Sequence, residues 1–303
     1  MKFRHVLAAL FVIFLWATNL LILKAVCTDI PLELFNLLRF VACLPLLLFF
    51  RKPPSNVSKL MLISFFWNAL NVFLMGLGLK HGAGVGVGSV VFQTCSFFGI
   101  LFCFLLSREL PKIYQLVGMI VSFLGIILLF SHTMDSGLSI MGPLLILFAA
   151  ISWGFGLALI KKYKISPDLS TSVWLSVVSV LPMAFLTYTL CEYSAIESAL
   201  SGLSMQMILG ILFAAYGSTL LGGCIWFWLL KQYTSASVAP FMLLLPVLSC
   251  FMSYVFLDEQ FTPLQFLSFF IIVFGVAINL NVFKPEIVGY LAGKKWKKPT
   301  LTN

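Results

Sequence analysis

The chain is a series of long apolar runs separated by short polar segments. Ten such runs of roughly 18 to 25 residues are present, and each is long enough to cross a hydrocarbon core about 30 Å thick as a helix. A transmembrane β-barrel would instead show short segments of alternating apolar and polar residues. The pattern predicts an all-α polytopic membrane protein with ten transmembrane helices, over residues 6–26, 32–50, 60–79, 84–106, 112–130, 138–160, 170–190, 205–230, 236–257 and 263–283.

Two parts of the chain resemble each other. Residues 80–130 and 231–280 are each two apolar runs joined by a short charged turn. A shift of 150 places Glu109 on Glu259 in that turn. Self-similarity of this kind indicates an internal duplication.

The start of each half matches as well, since a shift of 137 places Trp16 on Trp153. The two shifts differ by 13 residues, and we predict that the polar stretch 192–204 contains the extra residues. Five helices is an odd number, so the second copy must enter the membrane inverted. We therefore predict two inverted five-helix repeats, in residues 1–131 and 138–283, followed by a basic tail in residues 284–303.

Basic residues are concentrated in alternate segments between the predicted helices. With the N-terminus in the cytoplasm, the inner segments contain 16 of the 19 Lys and Arg residues, and only Lys24, Arg39 and Lys80 remain. The positive-inside rule therefore predicts that both termini are cytoplasmic. The net charge of +9 does not indicate a nucleic-acid partner, because the cluster at 294–298 is expected to lie near anionic lipid headgroups.

Composition supports a lipid bilayer as the surroundings and argues against several classes of function. Apolar residues make up 61% of the chain and charged residues 10%, whereas soluble domains contain about 25% charged residues. The seven cysteines are odd in number and show no metal-ligand spacing, which indicates packing residues. No catalytic constellation or phosphate-binding loop is found. We therefore predict no enzyme activity, no metal and no cofactor.

Inverted repeats are typical of secondary transporters, whose substrate site lies near the membrane midplane where the two copies meet. The alternative is a duplicated membrane scaffold without transport. Transport is favoured because inverted copies provide a physical route to alternating access.

Polar and aromatic side chains inside the predicted helices are the candidates for that site. Polar groups in hydrocarbon are costly and usually face a cavity or one another. Trp16 and Asn19 are three residues apart and share one helical face. The alternative for each Asn or Gln is an interhelical hydrogen bond that only joins helices. The substrate-binding candidates within the helices are Trp16, Asn19, Asn68, Asn71, Gln93, Trp153, Tyr216 and Trp226.

Arg39 is a further candidate, because it lies about seven residues inside the second predicted helix and a charge there is expensive. It could hold a substrate carboxylate. The alternatives are a structural pair with Glu33 or another acid, or a side chain that extends to the interface.

Glycines and prolines provide candidate moving parts. Small residues such as Gly84 and Gly88 let helices approach and slide. Pro240 and Pro246 each remove a backbone donor and can kink a helix. All four are predicted to serve gating, with plain tight packing as the alternative.

Several short motifs follow one another along the chain: Phe14–Asn19, Leu38–Phe40, Val90–Gln93, Arg108-Glu109, Ser152–Gly154, Val238–Pro240 and Leu257–Gln260. In this order and spacing, the chain resembles members of the drug/metabolite transporter superfamily, and within it the EamA family. The stretch 238–267 is similar to bacterial exporters of O-acetylserine and cysteine. Gly223 and Leu157 stand where some relatives have an aromatic and a polar residue, respectively, which would alter the cavity wall.

The resemblance implies ten helices and export of small amino-acid metabolites through a central cavity. We therefore expect a secondary transporter in the bacterial inner membrane with a small amino-acid-like substrate. The alternatives are an importer with the same fold, a membrane enzyme acting on lipid, or a structural or sensing protein without flux. The sequence leaves the exact substrate, the direction, the coupling ion and the oligomeric state open.

Overall fold

The computed structural model describes residues 2–26, 29–50, 52–108, 110–135, 139–166, 168–233, 238–279 and 281. Within these ranges the chain forms helices joined by short turns, and it contains no β-strand. The all-α prediction is therefore confirmed. The basic tail predicted at 284–303 lies outside the described residues.

Fifteen α-helices are described, together with two 3₁₀ and two π segments. The α-helices are α1 Phe3–Val26, α2 Leu32–Val41, α3 Val57–Ser64, α4 Asn71–Lys80, α5 Val85–Phe92, α6 Cys95–Ser107, α7 Ile113–Asp135, α8 Met141–Lys162, α9 Leu169–Val178, α10 Val180–Leu190, α11 Tyr193–Ser201, α12 Met205–Leu212, α13 Gly223–Gln232, α14 Leu244–Leu257 and α15 Pro263–Asn279. The 3₁₀ segments are Leu44–Leu48 and Ala239–Leu243, and the π-helices are Phe65–Leu70 and Phe213–Gly222.

Seven helical stretches among the described residues are long and apolar enough to cross a membrane. They are Phe3–Val26, Val57–Lys80, Val85–Leu106, Ile113–Ser131, Met141–Lys162, Leu169–Leu190 and Met205–Leu229. Phe241–Leu257 and Pro263–Asn279 are apolar but shorter. The predicted helix over 32–50 is interrupted, since α2 ends at Val41 and a 3₁₀ segment containing Pro45 follows. The count of ten thus stays a prediction.

The surface of these helices is suited to lipid. On α1, the side chains of Phe3, Leu7 and Phe14 are exposed, whereas Ala9 and Ala17 are fully buried. An exposed apolar stripe of this kind is unfavourable in water and favourable against acyl chains. This face therefore needs no protein partner.

Matching local features recur at the shift of 150 seen in the sequence. The backbone N–H of Lys112 donates to Gln115 Oε1 at 2.8 Å, and that of Thr262 donates to Gln265 Oε1 at 2.9 Å. Each bond satisfies a donor that would be unpaired at the start of α7 or α15. The ends of α6 and α14 also match, since both are capped by a residue with positive φ, at positions 108 and 258.

The two π-helices lie at equivalent positions, because residues 65–70 shifted by 150 fall within 213–222. Each accepts a side-chain hydrogen bond from the first long helix of the other half of the chain, α1 or α8. Trp16 Nε1 of α1 donates to Ser218 O at 3.1 Å, and Ser152 Oγ of α8 donates to Phe66 O at 2.7 Å. The two halves are therefore joined by reciprocal contacts at unusual backbone, and π segments occur frequently at functional sites.

Helices α7 and α15 pack closely and run antiparallel. Asn279 Nδ2 donates to Gln115 O, and Ser122 Oγ donates to Ile272 O, so the order of contacts is reversed along the second helix. A Cβ built on Gly118 would lie 2.5 Å from the carbonyl oxygen of Gly275. Only glycine permits this approach, as in other small-residue interfaces between membrane helices.

The polar stretch 192–204, predicted to hold the extra residues of the second half, forms the short helix α11, Tyr193–Ser201. Together with Asp29, Glu33 and Lys80 it borders one end of the helix bundle.

Candidate functional site

The second π-helix, Phe213–Gly222, brings together four of the predicted substrate-binding residues. Trp16 bonds to it through Ser218, and the indole ring of Trp16 lies 5.4 Å from that of Trp226. Tyr216, within the π-helix, donates its hydroxyl hydrogen to Ala42 O.

Arg39 of α2 is the fourth residue of this group. Its side chain is 6% exposed, and Nε donates to Thr219 Oγ1 of the π-helix at 3.0 Å, with Nη2 on the same oxygen. Nη1 is buried and has no hydrogen-bond partner among the described residues. Glu33, a predicted alternative partner, instead accepts a hydrogen bond from Cys191 Sγ at 3.4 Å. Arg39 forms no ion pair with the described part of the chain.

The first π-helix, Phe65–Leu70, holds a second group of predicted residues. The ring of Trp153 stacks on that of Trp67, with centroids 4.4 Å apart. Asn71 Nδ2 donates to Trp67 O at 3.2 Å, and its buried Oδ1 has no partner among the described residues. Asn68 is buried within the π-helix itself.

Gln93 and Asn19 behave differently from each other. Gln93 lies in the turn between α5 and α6, and its Nε2 donates to Met242 O at 2.5 Å. That hydrogen bond connects the turn between α5 and α6 to the 3₁₀ segment Ala239–Leu243 in the other half of the chain. Asn19 is half-buried and makes no hydrogen bond to the described residues.

Two of the four predicted gating residues, Gly84 and Gly88, lie where neighbouring elements approach closely. Gly84 precedes α5, and a Cβ built there would lie 2.7 Å from Glu259 Oε2. A Cβ on Gly88 would lie 2.8 Å from Ile146 Cδ1. Pro246 is buried within α14. Pro240 lies in the 3₁₀ segment Ala239–Leu243, and its side chain is outside the described set.

Glu259 connects the segment after α14 to the start of α5. Its carboxylate oxygens accept hydrogen bonds from the backbone N–H groups of Val85, at 2.7 Å, and Gly86, at 3.2 Å. A carboxylate there satisfies unpaired donors and complements the positive end of the helix dipole. Lys24 Nζ donates to Leu79 O and Ala83 O nearby. A cleft of about 560 Å³, the Glu259 cleft, is lined by Lys24, Ala25, Gly82, Ala83, Gly84, Leu257 and Glu259.

Sequence reasoning missed several residues of these groups. Asn36 is fully buried on α2, three residues before Arg39, and neither side-chain atom has a hydrogen-bond partner among the described residues. The i, i+3 spacing that singled out Trp16 and Asn19 would have found it. The contacts of Trp67 and Glu259 with the other half depend on tertiary packing, and no local pattern predicts them.

No group of three or more His, Cys, Asp and Glu side chains in the described ranges could hold a metal ion. Cys43, Cys95, Cys103, Cys191, Cys224 and Cys250 are free thiols. The chemistry available at the two π-helices is hydrogen bonding, aromatic contact and one buried positive charge.

Comparisons with known proteins agree with this architecture. The chain is 28% identical over 292 residues to a probable amino-acid metabolite efflux pump of Salmonella typhimurium, covering 94% of this chain and 97% of the relative. It is 27% identical to a protein of the same description in Escherichia coli, covering 90% and 93%. An uncharacterized transporter of Bacillus subtilis, YoaV, is 27% identical, covering 92% and 98%.

A solved crystal structure of a protein with 15% sequence identity shares the fold, with a TM-score of 0.61 over 94% of this chain and 100% of the other. The sequence model of the EamA-like transporter family matches residues 3–131 and 140–281. With nearly all of its helices inside that match, the chain belongs to the EamA-like transporter family, and it is a membrane-spanning transporter.

Proposed function

We propose that this protein is a secondary transporter that exports small amino acids or amino-acid metabolites, such as cysteine or O-acetylserine, across the bacterial inner membrane. The observation that carries the proposal is the reciprocal contact between the halves. Each π-helix accepts a hydrogen bond from the first long helix of the other half of the chain. Movement of one half against the other must therefore alter both polar groups together, which is the requirement of alternating access.

Two inverted five-helix repeats, in residues 1–131 and 138–283, are the proposed framework of this movement. The matched caps of α7 and α15 and the antiparallel packing of these helices support the inversion. Helix counting and the distribution of Lys and Arg support ten spans with both termini in the cytoplasm. In this orientation the Glu259 cleft lies on the outer side.

The proposed substrate site lies between the two π-helices. The aromatic rings of Trp16, Trp153 and Trp226 offer apolar and cation–π contact, and the side chains of Asn19 and Gln93 offer hydrogen bonds. These groups suit a zwitterion with a small side chain. The remaining proposed contacts are Arg39, Asn68, Asn71 and Tyr216.

Closure of the outer side is assigned to the contacts at the Glu259 cleft. Glu259 holds the start of α5, and Lys24 holds the end of α4. Gly84 and Gly88 let neighbouring elements lie against α5, so a small shift of that helix would break the hydrogen bonds of Glu259. Pro240 and Pro246 would let the segment before α14 bend with it.

Counterflow in proteoliposomes tests the proposal. Vesicles are loaded with unlabelled amino acids and metabolites, including cysteine and O-acetylserine, and labelled substrate is added outside. We expect accumulation in the wild type and a loss of at least about tenfold in Asn19→Ala and Gln93→Ala, because each loses a hydrogen bond that orients the substrate. Gln260→Ala, which changes an exposed residue, should behave as wild type.

Accumulation that both substitutions leave unchanged would refute the site. No accumulation of any tested compound would refute the substrate class. Oriented vesicles then decide the direction, because an importer would carry substrate faster from the outer side.

A further inference from the structure

Two polar side chains on α2 are buried without the partners that their chemistry requires. Asn36 is fully buried, and both its Nδ2 and Oδ1 lack hydrogen-bond partners among the described residues. The same holds for Nη1 of Arg39, one turn further along. Native proteins leave few buried polar atoms unpaired, and each case calls for a physical reason.

The two side chains lie on one face of α2. Residues three apart in a helix are neighbours, with Cβ atoms about 5–6 Å apart. Helical side chains lean towards the N-terminus, so the Arg39 side chain extends over the turn that carries Asn36. Arg39 contacts Thr219 of the second π-helix. Cys43, just after α2, belongs to the same buried apolar cluster as Ala215 of that π-helix. The unpaired Nη1 of Arg39 therefore lies beside the second π-helix, and Asn36 lies one turn before Arg39 on the same face of α2.

The unpaired atoms contain many more donors than acceptors. Arg39 Nη1 and Asn36 Nδ2 each carry two N–H groups, whereas Asn36 Oδ1 is the single acceptor. A rotation that joined Asn36 Oδ1 to Arg39 would still leave donors unpaired. No described carboxylate pairs with the guanidinium, which also keeps its positive charge at neutral pH. A ligand group with negative charge and several acceptor lone pairs would complete this set.

We propose that Asn36 and Arg39 bind the carboxylate of the transported molecule, so that the protein selects substrates with a free carboxylate over the corresponding amides and esters. The inference rests on the proposed transport function. A carboxylate has two oxygens and about four lone-pair directions, which matches the four N–H groups of Arg39 Nη1 and Asn36 Nδ2. Thr219 holds the guanidinium in position while the site is empty, through Nε and Nη2, and leaves Nη1 to the ligand.

The site is closed in this conformation, since Asn36 is fully buried and Arg39 nearly so. A substrate reaches it when α2 separates from the second π-helix. The N–H groups of Asn36 Nδ2 and Arg39 Nη1 then bind the substrate before α2 and the π-helix close again. Rejection of amides follows, because a neutral carboxamide provides one acceptor oxygen and brings two further N–H groups into a site already rich in donors.

Paired substrates test the proposal in the full-length protein. Counterflow is measured for L-cysteine and L-serine against L-cysteinamide, L-serinamide and the methyl esters. We expect the wild type to prefer each acid by at least about tenfold. Asn36→Ala and Arg39→Gln should reduce this preference to within about twofold. Ser249→Ala is the matched control, because it also removes a buried, unpaired polar atom, on α14, and should keep the wild-type preference.

Thermal unfolding of the purified protein gives a second readout that needs no flux. The acids at millimolar concentration should raise the Tm of the wild type and not that of Arg39→Gln, whereas the amides should raise neither. Asn36→Leu, without ligand, should raise the Tm by about 1–3 °C because it removes unpaired buried atoms. A purely structural Asn36 would give a lower Tm in that variant.

The outcomes separate the two proposals. Equal stabilisation by acid and amide in the wild type overturns the carboxylate site, whatever the flux measurements show. Stabilisation by chloride or phosphate to the same extent as by the acids overturns it as well, in favour of a general anion site. Selective stabilisation by acids without any counterflow supports the carboxylate site and refutes transport of these compounds.

Discussion

Replacing Glu259 with alanine is expected to loosen the end of the transporter that we propose to face outward, the outer end. Glu259 holds the first turn of α5 through hydrogen bonds of 2.7 and 3.2 Å. Hydrogen bonds to a charged group contribute about 1.5–3 kcal/mol, and we take about 1–2 kcal/mol here because the half-exposed carboxylate is screened by water. The ratio of open to closed outer ends should therefore rise about 5- to 30-fold.

Cys250 is a natural reporter of this opening. A Cβ built on Gly86 would lie 2.9 Å from Cys250 Sγ, so the thiol sits directly beneath the turn that Glu259 holds. It lies seven residues before the end of α14 at Leu257, or about 10 Å along the helix. In a protein with the other cysteines changed to serine, a membrane-impermeant maleimide reaches this thiol only through water. We expect Glu259→Ala to raise the labelling rate about 5- to 30-fold.

Asp258→Asn is the matched control for this experiment. It removes the same charge one residue away, at an exposed side chain that makes no hydrogen bond to the described residues. Asparagine also tolerates the positive φ of 52° at this position. The reasoning is refuted if Glu259→Ala labels at the wild-type rate, or if Asp258→Asn accelerates labelling as much.

Three further changes have expected outcomes. Gly275→Ala should lower the Tm by several degrees, because its Cβ would lie 2.7 Å from a backbone oxygen of α7. Gly223→Ala is the control: its Cβ would meet open space, so the Tm should stay unchanged or rise slightly. Trp16→Phe should slow counterflow several-fold with little change in Tm, since the ring contact remains and one hydrogen bond of about 1 kcal/mol is lost. Burial and the neighbouring Glu33 carboxylate raise the pKa of the Cys191 thiol to about 11, so Glu33→Gln should lower that pKa and speed alkylation at pH 8; an unchanged rate would contradict this.

The helical fold was predictable because it depends on local properties. A helix in lipid must form its backbone hydrogen bonds internally and present apolar side chains outward. Apolar runs of about 20 residues meet both requirements and can be recognised in the sequence. The interruptions were less accessible. Pro45 explains the break after α2, but the π-helix at Phe65–Leu70 lies inside a predicted helix that contains no proline. The wider turn of a π-helix is determined here by packing against neighbouring helices, and no residue type in this stretch predicts it.

The candidate site was predicted in part for the same reason. Polar residues in apolar runs are conspicuous, so Trp16, Arg39 and Gln93 could be singled out before any contact was known. Their partners could not, because Arg39 bonds to Thr219 and Gln93 to a main-chain oxygen at Met242. Partners 149 and 180 residues away in sequence are chosen by packing, not by spacing.

The glycine-lined pairing of α7 with α15 has a consequence for biogenesis. The bonded partners Ser122 and Ile272 are separated by 150 residues of chain, so at about 5–20 residues per second the ribosome needs roughly 8–30 s to supply the second helix after the first has been made. During that interval the groove along α7 at Gly118 and Ser122 faces lipid or an insertion factor. Nascent chains that end before Pro263 would retain this groove permanently, and quality-control proteases could recognise them by it.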